Sequence, residues 1–195
     1  MKISQLTITT SLLFFTFCTL AQVQETKTVN LMGSVFQIII VDKDSSSAKL
    51  NIQKTIDEIE RTENLISEWR PETQISQVNQ NAGIKPIKVD QEVFEITKKG
   101  LWFSEKTDGS FDISIVAMDR LWKFDGSMEK IPSRRKIRKS VANVNYKNVV
   151  LDSLNSTIYL TEKGMKIGFG SIGKGYAADK GRELMQSLGV KGGII

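Results

Sequence analysis

The sequence predicts an α+β or α/β fold, a mixed sheet flanked by helices and incomplete on its C-terminal side. Three features carry this expectation. Short β-branched runs such as Val35–Val41 alternate with longer segments whose apolar residues recur at helical spacing. A glycine-rich loop stands between a brief apolar run and a helical segment. The chain reaches Ile194-Ile195 at the start of a further apolar run. Of the 195 residues, 40% are hydrophobic and 25% charged, as in an ordinary globular protein.

The chain opens with Met1-Lys2 and an apolar stretch from Leu6 to Leu20. A positive start, a core of this length and the small residues Thr19 and Ala21 predict a signal peptide over residues 1–21. Residues 22–195 then form one domain, exported and periplasmic, with an N-terminal membrane anchor as the alternative. The single cysteine, Cys18, lies in this leader and follows Phe17, whereas a lipoprotein acceptor follows a small residue.

Val29–Val41 reads as a buried strand opened by Met32-Gly33. Asp44-Ser45-Ser46-Ser47 is a turn and helix cap, and Ile52, Ile56, Ile59 and Ile66 mark one face of a long helix stopped before Pro71. Residues 72–89 are polar and read as a loop. Asp90 caps a second helix with Val93, Ile96, Gly100 and Phe103 on one face, ended by Thr107-Asp108-Gly109. Phe111–Met118 is a short apolar stretch, and Leu121-Trp122-Lys123-Phe124 adds aromatics. Pro132 suits the first turn of a third helix. Its basic residues Arg134, Arg135, Lys136, Arg138 and Lys139 read as a solvated face and not as a nucleic-acid patch. Val149–Leu151 and Thr157–Leu160 form a hairpin around Asp152–Ser156. Met165–Ile167 reads as a brief strand. The last helix carries Ala177, Gly181, Leu184 and Leu188 inward, with Gly189 as its C-cap, and Val190–Ile195 begins another strand.

The net charge of +5 suits an anionic ligand without implying nucleic acid. No histidine is present, which excludes Ser-His-Asp and Cys-His catalysis and His-ligated zinc within these residues. A metal here must take oxygen ligands, which favours magnesium or calcium.

The loop Gly168-Phe169-Gly170-Ser171-Ile172-Gly173-Lys174-Gly175 leads into a helix N-terminus. Glycines let backbone N–H groups approach a phosphate, the helix dipole favours negative charge, and Lys174 adds a cation. Two nucleotide motifs almost match. The P-loop pattern fails at Gly175, where Ser or Thr should bind magnesium, and the dinucleotide fingerprint lacks its later acidic residue. A purely structural turn is the remaining alternative.

The loop and three earlier segments together resemble the ApbE family of flavin transferases. Met32-Gly33 is similar to the family's Met-Gly opening. Ser67-Glu68-Trp69-Arg70 through Ile75–Asn79 is similar to the segment after its long helix. Thr107-Asp108-Gly109-Ser110-Phe111-Asp112 is similar to its "T-x-G-x-F-D" signature, and Ile172–Asp179 to its "I-A-K-G-Y-A-V-D" stretch. The resemblance covers residues 29–195. It implies magnesium-dependent transfer of FMN from FAD to a Thr or Ser hydroxyl of exported acceptor proteins, such as subunits of electron-transfer complexes, with possible inner-membrane association.

Met32, Trp69, Ser110, Phe111, Asp112 and Lys174 are the implied cofactor-binding residues, and Ser171 the implied metal ligand, through its carbonyl. Each cofactor position except Ser110 and Phe111 also has a structural reading. Met32 can be core, Trp69 can cover a helix end, Asp112 can cap a turn, and Lys174 can be a solvated helix-start residue. The alternative functions are a magnesium-dependent FAD pyrophosphatase giving FMN and AMP, and a periplasmic flavin-binding module without turnover.

The sequence departs from the family in two places. Gly168 stands where many relatives carry Asp, so one polar cofactor contact must come from elsewhere. The later "D-A-x-x-T" segment, which holds carboxylate and hydroxyl metal ligands, is absent from these residues. Residues 22–195 alone are therefore expected to lack FMN transfer. Incubation with FAD, magnesium and an acceptor peptide checks this by mass spectrometry, and any flavinylated peptide contradicts it.

Overall fold

The structure, a computed structural model, describes residues 22–118, 121 and 127–195. The leader, Cys18 and Trp122–Phe124 lie outside the described residues.

The first strands are β1 (Val23–Leu31) and β2 (Ser34–Asp42). They pair antiparallel from Val23↔Asp42 to Leu31↔Ser34. Met32-Gly33, expected to open a strand, is instead the two-residue turn of this hairpin. Both residues have positive φ, 51° and 67°, the geometry whose twist matches antiparallel strands. In β2 the alternation is clear, with Phe36, Ile38 and Ile40 buried while Val35 and Gln37 face out. Most of β1 went unread because Glu25, Lys27 and Thr28 interrupt its apolar residues.

Helix α1 (Ser45–Ile66) is 22 residues long. Asp44 caps it by accepting the Ser47 N–H at 2.7 Å. Its buried stripe, Ala48, Ile52, Ile56, Ile59 and Ile66, includes the four predicted isoleucines. Residues 72–89 are not a plain loop. They contain α2 (Gln74–Gln80), capped by Thr73, and the short strand β3 (Ile87–Lys88). Ile75, Val78 and Ala82 supply a narrow apolar face that the surrounding glutamines and asparagines hide in the sequence.

Helix α3 (Gln91–Lys106) buries Val93, Ile96 and Gly100, as the spacing indicated, with Phe103 half-buried. Asp90 precedes it, but its carboxylate accepts from Gln74 instead of capping the helix. A 3₁₀ turn spans Ile113–Ala117. Helix α4 (Arg134–Ser140) is capped by Ser133, so Pro132 falls one residue before the cap and not inside the first turn. All five of its basic side chains are exposed.

Strands β4 (Val149–Asp152) and β5 (Thr157–Leu160) form the expected hairpin. Met165–Ile167 is not a strand. The side-chain amide of Asn79 takes the place of a pairing strand: it donates to the Ile167 carbonyl at 3.0 Å and accepts the Ile167 N–H at 2.8 Å. Helix α5 (Gly173–Ser187) buries Gly173, Ala177, Gly181 and Met185. Met185 replaces Leu184 and Leu188 as the inward residue, Leu188 being 36% exposed. Gly189, at φ 78°, ends the helix; its N–H reaches Gln186 and the Val190 N–H reaches Met185. Strand β6 (Gly192–Ile194) follows.

Among the described residues the strands divide into two sheets, in the orders β1-β2-β6 and β3-β5-β4, and every pairing is antiparallel. This is the α+β form of the expectation. No helical crossover is needed, because hairpins join β1 to β2 and β4 to β5. One core lies where α1 and α5 cover the first sheet, around Ile38, Ile40, Ile52, Ile59 and Ala177. The other surrounds Ile75, Phe94, Ile113, Ile158 and Phe169. Met32 packs against both.

Asn79→Ala should lower stability by about 2 kcal/mol, because it strands two half-buried backbone groups of Ile167. Urea unfolding measures this, and a loss comparable to an exposed-site substitution would contradict it.

Candidate functional site

Three pieces of chain meet at the C-terminal end of α1. The first is the Met32-Gly33 turn. Positive φ is costly for methionine, and the Met32 N–H is held by Glu63 Oε2 at 3.0 Å. The Met32 methyl then lies on the first residue of α5, 3.5 Å from where a Cβ on Gly173 would be. The second piece is Ser67–Arg70, where the chain leaves α1. Arg70 is anchored by hydrogen bonding to Asn64 and by Glu63 at 3.8 Å. The third is the glycine loop, tethered where the Gly168 N–H donates to the Ile113 carbonyl at 3.0 Å.

Between them lies a cleft of about 350 Å³, lined by Met32, Gly33, Glu63, Ile66, Ser67, Glu68, Trp69, Arg70, Phe169, Gly170, Gly173 and Lys174. Met32, Ile66 and Phe169 make its apolar floor. Trp69, 71% exposed, stands at the rim. On the loop side, Gly170 and Gly175 open onto empty space, with nothing within 4 Å of a built Cβ. The N–H groups of Lys174 and Gly175 find no acceptor among the described residues. Two open donors at the start of a 15-residue helix, beside a lysine, form an anion cradle.

Behind the cradle, Tyr176 ties α5 to the other helices. Its hydroxyl donates to Glu92 of α3 at 3.1 Å, and Arg61 of α1 pairs with Glu92 at 2.9 Å and Glu58 at 2.8 Å. Burial, reinforced by the Glu92 charge, raises the Tyr176 phenol above its ordinary range. Burial alone would raise the Glu92 carboxyl as well, but the Arg61 hydrogen bonds and charge bring it below its usual value. Hydrogen bonds that Arg61 donates to Glu58, then to Glu92, raise its own pKa further.

Of the residues singled out from sequence, the fold brings Met32, Trp69 and Lys174 to the cleft. It does not bring Ser110, Phe111, Asp112 or Ser171 among the cleft-lining residues. Asp112 caps the 3₁₀ turn, accepting from the Ser114 N–H at 2.7 Å, the Ser114 hydroxyl at 2.6 Å and the Tyr146 N–H at 3.0 Å. Phe111 packs edge-on against Phe103, with ring centroids 6.0 Å apart, and Ser110 is exposed. This segment acts on the loop from behind, since the turn that Asp112 caps supplies the carbonyl of Ile113 that holds Gly168. Ser171 is exposed on the loop, and no donor among the described residues reaches its carbonyl. Glu63, Glu68, Arg70 and Phe169 belong to the cleft but were not singled out from sequence as site residues. Glu68 and Arg70 lay inside the quoted Ser67–Arg70 segment, whereas Glu63 gave no signal beyond its place in the last turn of the helix.

The described residues contain no group of three or more His, Cys, Asp or Glu that could hold a metal. With the Ser171 carbonyl on the loop and only Glu63 and Glu68 as carboxylates in the cleft, the described residues do not form a metal cage. They do fit a nucleotide diphosphate, through the open N–H groups and Lys174.

Fold and cleft thus define an α+β protein with an anion cradle beside an apolar slot. The chain belongs to the ApbE family, whose model matches residues 32–195. It is 28% identical over 165 residues to an FAD:protein FMN transferase of Klebsiella pneumoniae (strain 342), a match covering 85% of this chain and 51% of that protein. It is 29% identical over 190 residues to one of Buchnera aphidicola subsp. Schizaphis graminum (strain Sg), covering 92% and 54%. The crystal structure of the ApbE protein from Thermotoga maritima superposes with a TM-score of 0.72 at 26% identity, over 85% of this chain and 53% of that one. The flavin transferase ApbE from Vibrio cholerae shares the fold, with a TM-score of 0.74 at 18% identity, over 89% and 56%. The chain spans about half the length of these relatives.

Because the folded-state pKa of Glu92 is depressed below its ordinary 4.5, its contribution to stability is complete above pH 4.5 and is lost as pH falls through the folded value. Glu92→Gln should therefore flatten the fall of stability below pH 4.5. Urea midpoints measured across that range check this, and an unchanged slope would contradict it.

Proposed function

We propose that this protein uses the cleft to bind FAD and transfers its FMN moiety to a Thr or Ser hydroxyl of a partner protein. The observation that supports this most is the meeting of three separate segments at one cleft in a chain of the ApbE family: the Met32 turn, Ser67–Arg70 and the open start of α5. The relatives named FAD:protein FMN transferase support this substrate and reaction.

In this reading Lys174 and the N–H groups of Lys174 and Gly175 hold the diphosphate and offset its charge. Met32 and Phe169 receive the flat flavin ring, and Trp69 covers it at the rim. The acceptor hydroxyl attacks the phosphorus of the FMN half and passes its proton to solvent or a base. The P–O–P bond breaks, and AMP leaves with the bridging oxygen. Ser110, Phe111 and Asp112 support the loop. The cleft's volume suits one half of FAD, so the adenosine half extends outside it.

Magnesium dependence is part of the proposal, with Ser171 offering a carbonyl to the ion. So are export by the leader, a periplasmic location, exported acceptors such as electron-transfer subunits, and inner-membrane association. Among the described residues no helix is long and apolar enough to cross a membrane.

Because the chain spans about half the length of its relatives, the reaction is tested on the full-length protein, incubated with FAD, magnesium and candidate acceptor peptides. An acceptor gaining the mass of FMN supports it. Release of only free FMN and AMP would instead identify a pyrophosphatase, and tight FAD binding without cleavage a binding module. Lys174→Ala should weaken FAD binding roughly tenfold to a hundredfold, the loss of a charge-assisted contact, as read by quenching of flavin fluorescence. Unchanged affinity would remove Lys174 from the site.

A further inference from the structure

Gly168 is buried, yet its φ lies outside the left-handed region, so its backbone does not require glycine. Space requires it. A Cβ at this position would lie 3.0 Å from both Cδ and Oε1 of Glu68 and 3.0 Å from Cγ1 of Val116. The missing side chain thus leaves room for the Glu68 carboxylate, which lines the cleft.

The two acids of the cleft differ in their partners. Glu63 accepts the Met32 N–H and faces Arg70. Glu68 is half-buried, and its carboxylate has no hydrogen-bond donor or ion-pair partner among the described residues. A carboxylate drawn partly out of water without a donor is unfavourable, and a bound ligand can relieve this by supplying one.

The chemistry of the cleft narrows what that ligand group is. A phosphate would be repelled by Glu68. A divalent cation takes roughly six oxygen ligands, and the described residues hold no acidic cluster. An uncharged N–H or O–H is left. The slot beside Glu68 is apolar, formed by Met32, Ile66 and Phe169, as suits a flat ring.

We infer that Glu68 accepts a hydrogen bond from a neutral N–H or O–H donor on the flavin half of FAD, and that Gly168 is the residue that makes room for it. This rests on the proposed FAD site. Glu68 is a binding and orienting residue, beside the glycine loop on the wall of the cleft.

Dissociation constants for FAD and ADP, measured on the purified protein without and with magnesium, test it. Failure of the unsubstituted protein to bind FAD would overturn the proposed function itself. If it binds, Glu68→Ala should weaken FAD about tenfold or more and leave ADP unchanged, with Glu68→Gln losing less because it keeps an acceptor oxygen. Gly168→Ala, whose methyl displaces the carboxylate, should weaken FAD in the unsubstituted background and have no further effect in the Glu68→Ala background. The inference is overturned if Glu68→Ala binds FAD normally, if ADP weakens as much as FAD, if the loss occurs only with magnesium, or if the two substitutions are additive.

Discussion

The buried stripe of α1 is the constraint on which the other elements depend. Ala48, Ile52, Ile56 and Ile59 belong to the core beneath the first sheet, while Ile66, at the end of the same helix, belongs to the second core. Each fully buried isoleucine contributes on the order of 1.5–3 kcal/mol relative to an exposed one, so one rigid element fixes both halves. Its end also fixes where Ser67–Arg70 emerge. The packing of α5 against α1 then brings the glycine loop to the same place. The cleft is therefore a consequence of how the core is filled, and Met32, touching both cores, closes its base.

Within the cleft charge is sorted by position. Lys174 and the open N–H groups of α5 form a positive end, and Glu68 stands on the wall over Gly168. Arg70, held by Glu63 and Asn64, is pre-set and not available to wander between them. Such an arrangement suits a ligand that carries both an anionic group and neutral donors. It also answers the question raised by Gly168. Phe169 is buried as an apolar neighbour of the glycine, whereas Glu68 brings a carboxylate into the space next to it.

Much of the fold was legible because burial leaves a period in the sequence. The isoleucines of α1, Val93, Ile96 and Gly100 of α3, and the β4–β5 hairpin are all where their spacing put them. Helix α2 was hidden because Gln74, Ser76, Gln77 and Asn79 outnumber its apolar residues, and its start rests on a cap by Thr73 that resembles any loop threonine. Met165–Ile167 looked like a strand because it is apolar and extended, but its partner is a side chain from 88 residues away, which no local pattern reveals. The site was legible at the loop for the same reason a turn is legible: glycine and lysine have restricted uses there. Its wall was not. Glu63 and Glu68 are ordinary solvated acids until the fold places a loop opposite them. The Thr107–Asp112 signature was visible as a motif, but its geometry serves the 3₁₀ turn beneath the loop and not the cleft surface.

The most direct measurement of the central claim is a crystal structure of the protein soaked with FAD. The expected density places the diphosphate within hydrogen-bond distance of the N–H groups of Lys174 and Gly175, with the flavin ring between the Met32 turn and Trp69. Density for FAD at any other surface, with the start of α5 left unliganded, would contradict it.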